Sequence, residues 1–499
     1  MNIGQAKEYI KNSISIYLKK DEYGDYRIPV VRQRPVFLLG APGIGKTAIM
    51  EQIASEMGIA LVSYSMTHHT RQSALGLPFI KQKVYGDVSV DVSEYTMSEI
   101  IASIYETMEE SGVKEGILFL DEINCVSETL APSMLQFLQY KVFGRHSVPE
   151  GWVIVTAGNP PEYNKSVREF DVVTMDRLKV LSVEADYPTW RKYAIEKHIH
   201  AAVLNFLELK KEYFYHMETT SAGRQYVTAR GWEDLSEIIL MYEEDGIKVD
   251  EDLVGQYLRS EQIVREFCAY YDLYNKYKRD YQVDMLVKGE NFEAASEKVK
   301  KASFDERLSL LGLLLDRELE EMRDCVHTTD YLKELMIPLK SVKTAESVRT
   351  ELVNQAALRD TVINKLEKAN SLSADDKKKH KRIKSFMNRM IEVIDETGNE
   401  NFDTVNDRFN QEVSDMKKLV AEAGEHIHNM FSFVAQAFGD SQGASDEMLI
   451  LVTEMTVNID SSRYISMFGS EDYQKYNSLL MVSKRNDVMR EDIMKLFEA

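Results

Sequence analysis

The chain has 499 residues, 44% hydrophobic and 28% charged, with 81 acidic against 61 basic side chains and a formal charge of −20. That length corresponds to about three domains, the apolar content excludes a largely disordered chain, and the acidity argues against a general polyanion binder. Cys125, Cys268 and Cys325 lie far apart without CxxC spacing, no apolar run approaches the ~20 residues of a bilayer span, and the N-terminal stretch has no signal-peptide core. A cytoplasmic protein with no membrane insertion, no disulfide framework and no structural zinc site is the expectation.

Nine of the 10 prolines fall between Pro29 and Pro188, which predicts strands and loops early and long helices afterwards. Ile10, Ile14, Tyr17 and Leu18 share one face of a leading amphipathic helix. Val36–Leu39 reads as a short buried strand, residues 47–57 as a helix and Ala60–Tyr64 as the next strand. Lys83–Val92 alternates around Gly86-Asp87, a hairpin signal. Thr96 and Glu99 have capping-box spacing ahead of Ile100, Ile101, Ile104 and Met108, which predicts a helix start. Strands at 117–120, 153–157 and 178–183, with a helix over Ser127–Tyr140 between the first two, complete an alternating α/β pattern that implies a parallel sheet. From Tyr187 the pattern is helical, with candidates at 190–209, 231–242 and 253–274 and a polar boundary near Lys288–Asn291. A second capping-box pair, Ser303 and Glu306, precedes the Leu308–Leu315 run, and later helices break near 371–376, 397–401 and 439–445.

Gly40-Ala41-Pro42-Gly43-Ile44-Gly45-Lys46-Thr47 matches the P-loop pattern between a strand and a helix. Its glycines let backbone N–H groups turn toward phosphate oxygens, Lys46 reaches the β/γ-phosphates as a point charge, and the Thr47 hydroxyl is a Mg²⁺ ligand. About 75 residues later, the strand Ile117–Leu120 runs into Asp121 and Glu122. Asp121 is expected beside the metal, and Glu122 is placed to polarise a water for attack on the γ-phosphate. A third strand ends in Gly158-Asn159-Pro160, where the Asn159 amide is suited to orienting that water.

These three motifs, followed by an all-helical segment, resemble an AAA+ ATPase over residues 30–285, and most closely its MoxR-type branch within the helix-2-insert group. The resemblance implies an α/β P-loop NTPase core over residues 1–185 and a helical lid over 186–285. Residues 286–499 are expected to form a mostly α-helical C-terminal domain, to which the resemblance does not extend. By the same resemblance Asn159 is sensor 1, and Thr228-Ala229-Arg230-Gly231-Trp232 is the sensor-2 segment with Arg230 reaching the γ-phosphate. Met175-Asp176-Arg177-Leu178 is similar to the family's D-R-F segment, with Leu178 in place of Phe, which makes Arg177 the arginine-finger candidate supplied to a neighbouring subunit. Arg168 and Arg145 are weaker candidates. The Lys83–Val92 hairpin corresponds to the group's insertion. The implied cofactors are ATP and Mg²⁺. The implied partners are further copies of the chain in a ring, expected to be a hexamer, and a protein client or adaptor, with a von Willebrand factor A-type protein as one candidate. Two rival readings are a nucleotide-switched interaction scaffold with slow hydrolysis and a nucleic-acid-dependent motor.

The remaining features have plain readings. His68 and His69 point to opposite faces of an extended segment, and Met66–Arg71 is a candidate pore or partner loop. His426 and His428, two apart on a helix, do not share a face. The basic run Lys377–Lys384 has few interleaved aromatics and is expected on a solvated helix, balanced by the 15 acidic against three basic residues of Ile391–Asp460. Met387 and Met390 are expected to fill core gaps.

Overall fold

A computed structural model describes residues 1–68, 74, 76–164, 166–220, 223–439 and 445–479. The chain divides into two compact units, one of residues 1–189, 228–230 and 354–384, the other of 190–227, 231–353 and 385–499.

The first unit is built on a five-stranded parallel sheet. Its strands are β1 (Val36–Gly40), β2 (Ala60–Ser65), β5 (Gly116–Asp121), β8 (Trp152–Gly158) and β9 (Lys179–Val183), in the order β2-β5-β8-β1-β9. The three central strands, β5, β8 and β1, are near-continuous apolar runs, as strands buried on both faces must be, while the outer β2 and β9 also carry polar and half-buried residues. Phe37, Val62, Leu118, Leu120 and Ile154 pack with Ile100, Ile101 and Ile104 of the helix Glu99–Ser111 and with Met134 and Phe137 of the helix Ala131–Tyr140. Pro132 in the first turn sets the start of that second helix, so it begins four residues later than the Ser127 expected from pattern alone. The leading helix, Ile3–Tyr17, buries Ala6, Ile10, Ile14 and Tyr17.

Thr96 does not cap the helix that follows it. Ser98 does, accepting a hydrogen bond from Ile101 N at 3.2 Å, while the Thr96 hydroxyl accepts one from Leu77 N at 2.9 Å. Thr96 thus closes the base of an antiparallel hairpin, β3 (Pro78–Tyr85) and β4 (Val88–Tyr95), longer than its alternation suggested. Gly86, at φ +61°, opens its two-residue turn. Ile80, Val84, Tyr85 and Val88 on this hairpin are exposed. Two short strands, β6 (Val142–Phe143) and β7 (His146–Ser147), form a second small hairpin.

Strand β2 is the outer strand beside β5 and would present free backbone groups. A distant part of the chain covers it at Leu61. Leu61 N donates to Ala369 O at 3.0 Å, and Asn370 Nδ2 donates to Leu61 O at 3.1 Å. Ala369 is fully buried in the sheet's own core cluster. The covering segment is the tip of a hairpin of two helices, Val348–Lys368 and Ala374–Thr397, whose residues 354–384 belong to the first unit. The basic run lies on this tip, and its partners are not those expected. Lys377 pairs with Glu367 at 2.6 Å and Lys384 with Asp360 at 2.7 Å, because the antiparallel hairpin brings these acids close, and Lys379 pairs with Asp376 of its own helix at 2.8 Å.

The second unit is helical apart from the hairpin β10 (His216–Thr220) and β11 (Gly223–Val227). Phe206, Trp232 and Phe267 form an edge-to-face aromatic cluster, with Trp232 Nε1 donating to Tyr213 O at 3.1 Å. The 41-residue helix Phe304–Thr344 packs along the 37-residue helix Phe402–Phe438 and against Asp446–Val457 and Ile459–Phe468. Ion pairs bind this bundle: Arg307–Glu447 at 2.6 Å, Arg323–Asp460 at 3.1 Å and Arg463–Asp330 at 2.6 Å. Ser303 caps the long helix as its spacing predicts, but Glu306 accepts from the Tyr281 hydroxyl at 2.6 Å. Met387 and Met390 are buried, as expected of gap fillers. Among the described residues no helix is long and apolar enough to cross a membrane.

The β2 cover gives a stability prediction. Asn370 sits at φ +50°, so Asn370→Ala removes a hydrogen bond and also strains the backbone, for a cost of about 1–2 kcal/mol. Asn370→Gly removes only the hydrogen bond, so urea midpoints are expected to fall in the order wild type, Asn370→Gly, Asn370→Ala. Equal midpoints for all three would show that the cover does not stabilise the sheet.

Candidate active site

The strand order fixes where the three motifs meet. Parallel strands all end on one side, and β8 lies between β1, which leads into the P-loop, and β5, which ends at Asp121. Leu39 of β1 is in register with Gly158 of β8, and Leu120 of β5 with Thr156. Asn159 therefore emerges between the other two motifs.

Gly40 has room for nothing larger, since a Cβ there would stand 2.5 Å from Val183 O. Gly43 and Gly45 lie at φ +72° and +93°, the left-handed region that turns the loop's N–H groups inward. Ala41 and Ile44 are buried, and Pro42 is half-buried between them. The helix that follows starts at Ala48, with Thr47 at its N-cap position.

The Lys46 ammonium donates to Gly40 O at 2.8 Å, Ala41 O at 2.7 Å and Asn159 Oδ1 at 2.9 Å. Burial lowers its pKa to about 8; Asp121 and Glu122 pull upward and Arg230 downward. The Thr47 hydroxyl donates to Asp121 Oδ2 at 3.0 Å. Adjacent ligands of an octahedral Mg²⁺ at 2.0–2.1 Å stand about 2.9 Å apart, so this pair fits the edge of such a site. Glu122 lies at φ +54°, an uncommon conformation for a side chain of this kind, with its N–H bonded to Asp121 Oδ1 at 2.8 Å. Its Oε2 accepts from Ser65 Oγ at 3.1 Å. The half-buried carboxylate is thus held beside the metal position by a serine hydroxyl, and among the described residues no cation pairs with it, as a water-polarising base requires.

Arg230 opens the helix Ala229–Glu244, and its backbone N–H donates to Gly43 O at 3.2 Å. It is exposed and close enough to the P-loop to act on the Lys46 charge. Arg177 is placed elsewhere, after the four-residue helix Val172–Met175 and half-buried. Asp171 caps that helix through Thr174 N at 2.8 Å and acts on Arg177 only through space. The two weaker candidates are engaged, Arg168 with Glu128 and Arg145 with Glu94. Of the loop Met66–Arg71, residues 69–71 lie outside the described residues.

Two residues escaped the sequence motifs, Asn124 and Ser65, and Thr228 has a packing role beside its place in the sensor-2 segment. Asn124 is buried against Gly158, where a Cβ would stand 2.4 Å from its Oδ1, and its Nδ2 donates to Asn159 O at 2.8 Å, which fixes the strand end that carries Asn159. Thr228 packs on Gly43, 2.9 Å from where a Cβ would be. Ser65, in register with Asp121, orients Glu122. Neither Asn124 nor Ser65 has a spacing signature, although each is small and polar at the end of, or just beyond, a strand of the parallel sheet.

Residues 36–174 match the family model described as ATPase family associated with various cellular activities (AAA). The five-stranded parallel sheet with flanking helices fits a P-loop AAA core, and the helical remainder fits the mainly α-helical region expected after it. The match supports an AAA+ ATPase. It contains the P-loop, Asp121, Glu122 and Asn159, and stops short of Arg177 and Arg230. No curated protein matches the chain.

The depressed Lys46 pKa has a measurable consequence. Phosphates beside the ammonium raise that pKa, so nucleotide binding takes up a proton at pH values above about 8. The Kd for ATP is expected to be level below that pH and to rise above it, approaching ~10-fold per pH unit. Titration with a fluorescent ATP analogue from pH 7 to 9.5 checks this; a flat profile would contradict the buried-lysine geometry.

Proposed function

We propose that this chain is a MoxR-type AAA+ ATPase that hydrolyses ATP in a ring of identical subunits to remodel protein complexes. The observation that carries the proposal is the convergence of Lys46, Thr47, Asp121, Glu122 and Asn159 at the ends of three neighbouring strands within a segment that matches the AAA model. In this reading Lys46 and the loop N–H groups hold the phosphates, and Thr47 and Asp121 hold Mg²⁺. Glu122 activates a water that Asn159 orients. Arg230 senses the γ-phosphate and passes the change along its helix, which continues into the second unit. Arg177 completes the site of the next subunit, and a site completed in trans requires a head-to-tail interface that closes into a ring, here a hexamer.

Two further features support a protein client, for which a von Willebrand factor A-type adaptor is one candidate by resemblance alone. The β3–β4 hairpin offers exposed apolar side chains on a protruding element, the surface chemistry of protein contact. Lysines of the basic run are paired with Glu367, Asp376 and Asp360, which leaves less positive charge for a nucleic-acid backbone.

The trans site is tested by mixing. Glu122→Gln and Arg177→Ala chains are each expected to be inactive. Equal amounts assembled together regain roughly a quarter of wild-type turnover, because that fraction of random interfaces pairs an intact Glu122 with an intact Arg177. If Arg177→Ala alone hydrolyses ATP normally, or the mixture stays inactive, the trans assignment fails.

A further inference from the structure

The second unit contains a carboxylate with no evident reason to be where it is. Glu318, inside the helix Phe304–Thr344, is 0% exposed, and among the described residues neither of its oxygens has a hydrogen-bond partner. An ionised carboxylate in that position costs several kcal/mol unless something compensates it. A proton would remove the charge but leave both oxygens without partners. A cation would answer both needs.

The surroundings supply the other ligands. Glu321 lies three residues on, on the same helix face, and His426 faces both from the helix Phe402–Phe438. One donor atom from each of Glu318, Glu321 and His426 lies within 4.8 Å of the other two. Donors that share one tetrahedral ion at 2.0–2.2 Å stand about 3.3–3.6 Å apart, so the widest of these separations closes by at most about 1.5 Å, within the reach of a glutamate rotamer adjustment. One contact from outside the group is of the kind a ligand shell shows: Glu321 Oε1 is held by Arg317 at 2.7 Å. Glu321 Oε2 and His426 Nδ1, 2.7 Å apart, are hydrogen-bonded to each other in the metal-free protein, which holds both side chains at the site. Glu321 and His426 keep 15% and 19% of their side-chain surface exposed, which gives an ion a way in.

We infer that Glu318, Glu321 and His426 form a binding site for one divalent first-row transition-metal ion, of which Zn²⁺ is the natural probe. Two carboxylates neutralise the ion, and the imidazole nitrogen favours borderline ions over Mg²⁺ or Ca²⁺. The site clamps the long helix to its neighbour at mid-length and is separate from the P-loop, in a different compact unit. The spacing gave little warning. A Glu-x-x-Glu pair is common on helices, and the histidine lies 105 residues away in sequence.

The test uses the full-length chain stripped with a chelator and kept free of nucleotide, so that the P-loop does not take up metal. Calorimetric titration with Zn²⁺ is expected to show a site of one ion per chain and a raised thermal midpoint. Glu318→Gln preserves the shape and removes a buried carboxylate without partners, so the metal-free midpoint is expected to be held or raised. Zn²⁺ affinity should fall by more than about tenfold in Glu318→Gln and again in His426→Gln, since even outer-shell partners are worth that much. The inference is overturned if wild type binds no Zn²⁺, or if both variants bind it as tightly as wild type.

Discussion

The hydrogen bond from Lys46 to Asn159 joins β1 to β8, and the rest of the site is arranged about it. It exists because β8 is inserted between the P-loop strand and the strand that ends in Asp121. With another strand order the same motifs would be present and would not meet. Given this order, Thr47 reaches Asp121, and Glu122 turns through a left-handed backbone to stand beside it. The backbone of Arg230 closes the opposite side of the loop through Gly43. Polar groups that would be costly to bury singly are partnered here by one another and by P-loop carbonyls.

The sheet that holds this arrangement is stabilised in part by residues far along the chain. Leu61 is bonded to Ala369 and Asn370, so part of the C-terminal half completes the first unit. An outer strand of a parallel sheet has unpaired backbone groups, and covering them limits association with other chains. The second unit answers a different need. Its long helices bury apolar faces against each other and tie their flanks with ion pairs, and Glu318 is the point at which that pattern is broken.

Much of the α/β order was legible in the sequence, because apolar strand runs and the P-loop are local signals. The P-loop, Asp121, Glu122 and Asn159 could be placed for the same reason, since each lies directly at the end of a strand. Contacts across long sequence distances were not legible. Thr96 has the right spacing for a cap, yet its hydroxyl bonds to Leu77, which only the hairpin brings near. The partners of the basic run come from the antiparallel helix beside it rather than from the more acidic segment downstream. Asn124, Thr228 and Ser65 matter through close packing on Gly158, Gly43 and Glu122, a three-dimensional fit that composition does not encode. Nothing in the sequence around Glu318 marks it, and only its burial distinguishes it.

The central claim is that this constellation cleaves ATP rather than merely holding it. Phosphate release at saturating ATP, measured beside equilibrium nucleotide binding for wild type and Glu122→Gln, tests it most directly. The account predicts that the variant binds ATP within a few-fold of wild type while its turnover falls by ~10²-fold or more, as expected when a general base is removed. Wild-type turnover no faster than that of the variant, with binding intact in both, would contradict it.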